Sequence, residues 1–221
     1  MSSDREITTV HLLRHGEVQN PTGVLYGRLP GYHLSELGRK MADRIAEHLR
    51  TTERNIKAVV SSPLERAVET AQPIAAGFGL EVRTDPRLIE AENVFEGLTF
   101  GVGDGSLRKL SHWRYLRNPF RPSWGEPYRN QVGRMLAAMA DARDLVRGAE
   151  VLVVSHQLPI WVTRCHIEGR RLWHDPRNRQ CTLASLTSVT YADNEIEAVS
   201  YTDPAQDRLP AKYNRTFSAG A

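Results

Sequence analysis

Three short polar motifs carry the residue types that chemistry needs: Arg14-His15-Gly16, Ser61-Ser62-Pro63 followed by Arg66, and Ser155-His156. Each stands directly after an apolar run. Arginine presents a permanently charged fork of N–H donors that matches phosphate oxygens. A neutral imidazole can attack phosphorus and hold the group as phosphohistidine. Departure of the leaving oxygen then needs a proton, and acids that can supply it cluster at Glu90, Glu92 and Glu96. Two arginines and two histidines brought together would make a phosphate pocket that also contains imidazole.

To converge, the motifs must share one edge of the fold. Residues 7–13 read as a strand, Ile56 to Ser61 as a second, and Val151 to Val154 as a strongly buried third. In a parallel sheet all three motifs then sit at the carboxyl edge, where open α/β folds bind ligands. Ser35 reads as an N-cap. Leu37, Met41, Ile45 and Leu49 follow it at four-residue intervals, which is an amphipathic helix. Ser62 and Glu65 read as a capping box with Pro63 at the first helical position. That places Arg66 near a helix N-terminus, itself an attractor of anions. Glu81 to Arg83 read as a short edge strand, Pro127 opens another helix, and a further helix spans about 159–168. Residues 182–190 and 196–201 read as two last strands turning through Asp193-Asn194. The order predicts an α/β fold, a three-layer α/β/α sandwich with a mainly parallel mixed sheet.

Residues 85–126 lack a clear period. From Gly105 to Gly125 there is no acid, while Arg108, Lys109, Arg114, Arg117 and Arg121 alternate with Trp113, Tyr115, Phe120 and Trp124. This stretch carries more positive charge than the net +3 of the whole chain, so the remainder is slightly acidic. Two readings stand level: an inserted lid over 98–126 that adds phosphate or sugar contacts, or a solvated helix whose aromatics pack on the core. A patch facing RNA or a membrane ranks below both. The domain reading is a single unit over 1–203 with a flexible tail over 204–221.

With 221 residues, 40% apolar and 25% charged, the composition is that of a soluble globular protein. No run approaches the roughly 20 apolar residues of a membrane span, and the polar start Met1 to Glu6 has no signal-peptide core behind it. Cys165 and Cys181 are too few for a disulfide framework and read as buried, inert thiols. A reduced, cytoplasmic protein is expected. No pair of histidines has His-Glu-x-x-His spacing, so no zinc is expected. His11 reads as packed within its strand; His33, His48, His112, His166 and His174 read as surface or structural.

Taken together, Leu13-Arg14-His15-Gly16-Glu17, Ser61-Ser62-Pro63-Leu64-Glu65-Arg66-Ala67 with Thr70-Ala71, Leu88-Ile89-Glu90 followed by Phe95-Glu96-Gly97, and Val154-Ser155-His156 resemble the successive motifs of the histidine phosphatase superfamily. The resemblance is to its phosphoglycerate mutase-like branch and covers about residues 8–190. It implies His15 as the phosphorylated nucleophile, Arg14, Arg66 and His156 as holders of the phosphoryl oxygens, and Glu90 as the proton donor, with Glu92 as its competitor. It further implies substrate contacts from Asn20, Tyr26, Gly27 and Gln157, and no metal or cofactor. The chain departs from the pattern where Asn20 stands five rather than six residues after His15, and where Gln157-Leu158 replaces a glycine pair.

The expected function is phosphomonoester hydrolysis through phosphohistidine on a small phosphorylated metabolite. A phosphoglycerate-type mutase is the alternative within enzymes, and a non-catalytic phospho-ligand binding module is the alternative outside them. A small phosphate ester is the expected partner, with no nucleic acid and no membrane, and a homodimer is compatible with the sequence.

Overall fold

The computed structural model describes residues 5–99 and 125–206. Its strands and helices are β1 (Ile7–Arg14), α1 (Glu36–Thr51), β2 (Ile56–Ser61), α2 (Glu65–Phe78), β3 (Val82–Thr84), α3 (Tyr128–Asp144), β4 (Glu150–Ser155), α4 (Gln157–Ile167), β5 (Leu186–Ala192) and β6 (Glu195–Thr202). The strands form one sheet in the order β3-β2-β4-β1-β5-β6. The pairs β1–β4, β2–β4 and β2–β3 are parallel, and β1–β5 and β5–β6 are antiparallel. The expected α/β architecture with a mainly parallel mixed sheet is therefore present. The lid reading falls on residues that are mostly outside those described.

Side chains alternate across a strand, so a central strand covered on both faces must be apolar throughout. β4 is such a strand. Leu152 and Val154 join Leu13, Met41, Ile45 and Ile74 in the cluster beneath α1 and α2. Val151 and Val153 join Leu12, Met135, Met139 and Ile160 in the cluster beneath α3 and α4. Ala205 is fully buried in the first cluster, so the chain still packs on the body there. Among the described residues no helix is long and apolar enough to cross a membrane.

Two local expectations are corrected. Ser62 does not cap α2: the helix starts at Glu65, with Leu64 at the cap position and no side-chain cap bond. The Ser62 hydroxyl is instead engaged by His156 at 2.8 Å, and the Glu65 carboxylate accepts from the Gly31 amide at 3.1 Å. The first of the last two strands begins at Leu186 rather than at 182. Ala184 has φ 55° and the Ser185 amide donates back to the Thr182 carbonyl at 3.2 Å, so the backbone turns there before the strand begins.

Candidate active site

β1 and β4 are adjacent and parallel, with Arg14 opposite Ser155 in register. His15 and His156, each one residue beyond its strand, are thereby neighbours: their ring centroids lie 5.2 Å apart. β2 lies on the other side of β4, so Ser62 and the first turn of α2 open on the same edge.

The chain leaves β1 through a tight passage. A Cβ on Gly16 would stand 2.6 Å from the Gly38 carbonyl, and a Cβ on Gly38 would stand 2.0 Å from the Glu17 carbonyl. The Ser35 hydroxyl caps α1 by accepting from the Gly38 amide at 3.0 Å and donates to Glu17 at 2.5 Å. The Gly16 amide donates to the Thr70 hydroxyl at 3.1 Å. The nucleophile candidate is thus held against both α1 and α2.

His15 is fully buried. Its Nδ1 lies 2.8 Å from the Gly16 carbonyl, an acceptor, so Nδ1 carries the proton. Nε2 keeps its lone pair and has no hydrogen-bond partner among the described residues. Burial, then the Arg66 and Arg14 charges, push the imidazole well below its usual pKa. It is neutral near pH 7.

Arg66 is fully buried and anchored by one nitrogen: Nη2 donates to the Gly27 carbonyl at 2.6 Å and to His156 Nδ1 at 3.3 Å. Its Nε and Nη1 have no partner among the described residues. The guanidinium stacks on Tyr26, 4.7 Å from the ring centroid. Because His156 Nδ1 accepts from Arg66, Nε2 carries the proton toward Ser62. Burial, followed by Arg66, drives the His156 pKa well down. Arg14 donates through Nη1 to the Cys181 carbonyl at 2.8 Å.

Glu90 is buried, Glu96 is half-buried and Glu92 is exposed. Glu90 Oε1 accepts from the Ala91 amide at 2.7 Å, and Oε2 is buried with no partner among the described residues. Burial raises its pKa above the usual carboxylate range, against the pull of Arg66, Arg14 and Arg179. Glu96 is occupied elsewhere, accepting from the Arg28 amide at 3.1 Å. The segment that carries Glu90 is braced from outside. Arg28 donates to the Glu90 carbonyl at 2.7 Å and Arg134 to the Arg87 and Ile89 carbonyls, each at 2.6 Å. Glu126 pairs with both arginines.

The remaining sequence candidates divide. Tyr26 and Gly27 sit at Arg66, as above. Asn20 closes its own loop: its amide donates to the Val24 carbonyl at 2.8 Å and its carbonyl accepts from the Val24 amide at 3.1 Å. Gln157 donates to the Cys181 carbonyl and accepts from Arg179, both at 3.2 Å. A cavity of about 530 Å³ adjoins Glu90 and is lined also by Tyr128, Gln131, Trp173, His174 and Arg179. Arg179 and His174 were missed or given a structural part by sequence reasoning. They lie in a connection crowded with other arginines, and only burial separates Arg179 from them.

Buried donors with unspent capacity, an imidazole lone pair and a carboxyl whose pKa burial raises together can bind a phosphoryl group, attack it and protonate what leaves. The model of the Histidine phosphatase superfamily (branch 1) matches residues 10–204. This chain belongs to that superfamily. A 200-residue match at 54% identity links it to the uncharacterised protein Rv0525 of Mycobacterium tuberculosis, covering 90% of this chain and 98% of the relative. It is 30% identical to the probable phosphoglycerate mutase GpmB of Escherichia fergusonii over 84% of this chain and 86% of that one. Among solved structures it is similar to the mycobacterial glucosyl-3-phosphoglycerate phosphatase Rv2419c, at TM-score 0.68 and 25% identity over 88% of this chain and 97% of that one. Phosphatase or mutase enzymes are thus the proteins it stands among.

Proposed function

We propose that the protein is a phosphomonoester hydrolase that works through a phosphohistidine at His15. The observation that carries this reading is the His15 tautomer: proton on Nδ1 toward Gly16, lone pair on a buried and unengaged Nε2. Arg14, Arg66 and His156 surround the phosphoryl oxygens and stabilise the charge spread over them in flight. The His15 Nε2 lone pair forms the N–P bond as the P–O bond to the leaving group breaks. The proton of Glu90 passes to the departing oxygen. Glu90, now ionised, takes a proton from a water that attacks phosphorus, the P–N bond breaks, and inorganic phosphate and neutral His15 are restored. Similarity to the glucosyl-3-phosphoglycerate phosphatase supports water as the acceptor.

A mutase reading is favoured by the resemblance to the probable phosphoglycerate mutase. Incubation with a panel of phosphomonoesters in the absence of added metal separates the two. Phosphate release by the wild type and not by His15→Ala is the expected result. Transfer that requires a bisphosphoglycerate primer and releases no phosphate would install the mutase instead. A His15→Ala protein with undiminished turnover would overturn both.

A further inference from the structure

Arg179 is 9% exposed and lines the cavity beside Glu90. A buried cation ordinarily has a carboxylate partner, because an uncompensated charge is costly to remove from water. Arg179 has none among the described residues. Its Nε donates to His174 Nε2 at 2.8 Å and its Nη1 to the Gln157 side-chain amide oxygen Oε1 at 3.2 Å. Both acceptors are neutral. His174 Nδ1 donates to the Leu172 carbonyl at 2.7 Å, which fixes the tautomer and leaves Nε2 as an acceptor. Burial holds the His174 pKa at about 4, so this arrangement persists at neutral pH. Of the other acids of the cavity wall, Glu126 pairs with Arg28 and Arg134 and Asp175 with Arg177, while Glu92 is exposed and makes no ion pair with Arg179.

One hydrogen-bonded chain ties this guanidinium to the phosphoryl site. It runs from His174 through Arg179 and Gln157 to the Cys181 carbonyl, where Arg14 also donates. Glu90 and Arg179 line the same cavity, so the substituent on a leaving oxygen protonated by Glu90 has that cavity, with Arg179 in its wall, beside it.

We infer that Arg179 is a specificity-determining residue that receives a second anionic group on the leaving portion of the substrate, so the preferred substrate is a phosphomonoester that carries a carboxylate or a further phosphate. This rests on the phosphoryl-site reading above. Gln157 and His174 are positioning residues that aim the guanidinium.

Calorimetric binding tests it without turnover, in a His15→Ala background. The probes are inorganic phosphate, ethyl phosphate, 2-phosphoglycolate and propane-1,3-diyl bisphosphate. The background protein is expected to bind 2-phosphoglycolate or the bisphosphate more tightly than ethyl phosphate, and the stronger of the two identifies the anion. Adding Arg179→Gln is expected to remove about 10- to 100-fold of that advantage, the scale of a charge-assisted hydrogen bond. Phosphate and ethyl phosphate should bind unchanged, which also reports a folded protein. Should that variant not fold, His174→Phe keeps the charge, removes the acceptor for Nε, and should cost several-fold on the doubly anionic probes alone. The inference falls if the second anion brings no advantage, if the advantage survives Arg179→Gln, or if all four probes weaken alike, which would place Arg179 in the phosphoryl site. If phosphate itself does not bind the background protein or the wild type, the phosphoryl-site reading falls first.

Discussion

On the proposed mechanism, replacing Glu90 by glutamine removes the proton donor and almost nothing else. The side chains are isosteric, and the amide oxygen can still accept from Ala91 as Oε1 does at 2.7 Å. The buried Oε2 has no described partner to lose. The whole effect should therefore appear in the steps that move a proton. General acid catalysis contributes about 10²- to 10⁴-fold, or about 3–5 kcal/mol of barrier at about 1.4 kcal/mol per factor of ten. An alkyl phosphate, whose alkoxide cannot leave unprotonated, should lose that full factor in kcat/KM. A nitrophenyl phosphate, whose phenolate leaves without help, should lose far less in the first step. Hydrolysis of the phosphoenzyme still needs Glu90 as base, so phosphohistidine should accumulate with the aryl ester. Rapid quenching should then reveal a burst approaching one equivalent, with acid-labile phosphate on the protein. Equal losses on both esters with no burst would refute the donor assignment. A leaving-group-dependent loss in Glu92→Gln instead would move the role to Glu92.

The pH profile of kcat/KM should be a bell. Rising pH ionises Glu90, whose pKa burial raises, and removes the donor; falling pH protonates His15, whose pKa burial lowers. In Glu90→Gln the basic limb should disappear for aryl esters. Arg66→Lys should cost about 10²- to 10³-fold in kcat/KM, as removal of an oxyanion donor does, because an ammonium cannot hold Gly27 and His156 while offering two further N–H groups. Gly38→Ala should lower stability by at least about 1–3 kcal/mol through overpacking, a fall in Tm of several degrees by calorimetry. Gly133→Ala, exposed in α3 with nothing within 4 Å of the added carbon, should instead stabilise by about 0.5–1 kcal/mol. A matching loss there would indicate that backbone crowding is not what distinguishes Gly38.

The convergence of the proposed phosphoryl-site residues was legible because they stand where chain segments change type. Arg14, His15 and His156 each follow a run of buried residues, and parallel strands carry their ends to one edge whatever their separation in sequence. Ser62 was legible as a polar turn residue but not as the partner of His156, since a hydroxyl before a proline satisfies a capping pattern equally well on paper. Asn20 illustrates the converse: the residue type suits a phosphate, while its local geometry closes a loop onto Val24. Arg179 had no signal at all. Arg170, Arg171, Arg177 and Arg179 look alike in one connection, and what marks the last is a burial that arises only when α3, α4 and that connection are assembled.

The interlocked backbones at Gly16 and Gly38 divide the molecule into parts with different freedom to vary. His15, the proposed nucleophile, directly precedes a point where two main chains nearly touch, so a change in either segment is transmitted to its ring. The wall that would recognise the leaving portion comes from the stretch after α4, from Leu172 to Arg179, and the braces that hold Glu90 come from Arg28, α3 and the residues just before α3. The first of these does not share the passage by which His15 is placed. On the proposed function, selection can therefore rewrite which esters are accepted, residue by residue along that stretch, while the proposed bond-breaking residues are inherited intact. A designer seeking a new substrate would leave the two glycines alone and diversify positions 172–179.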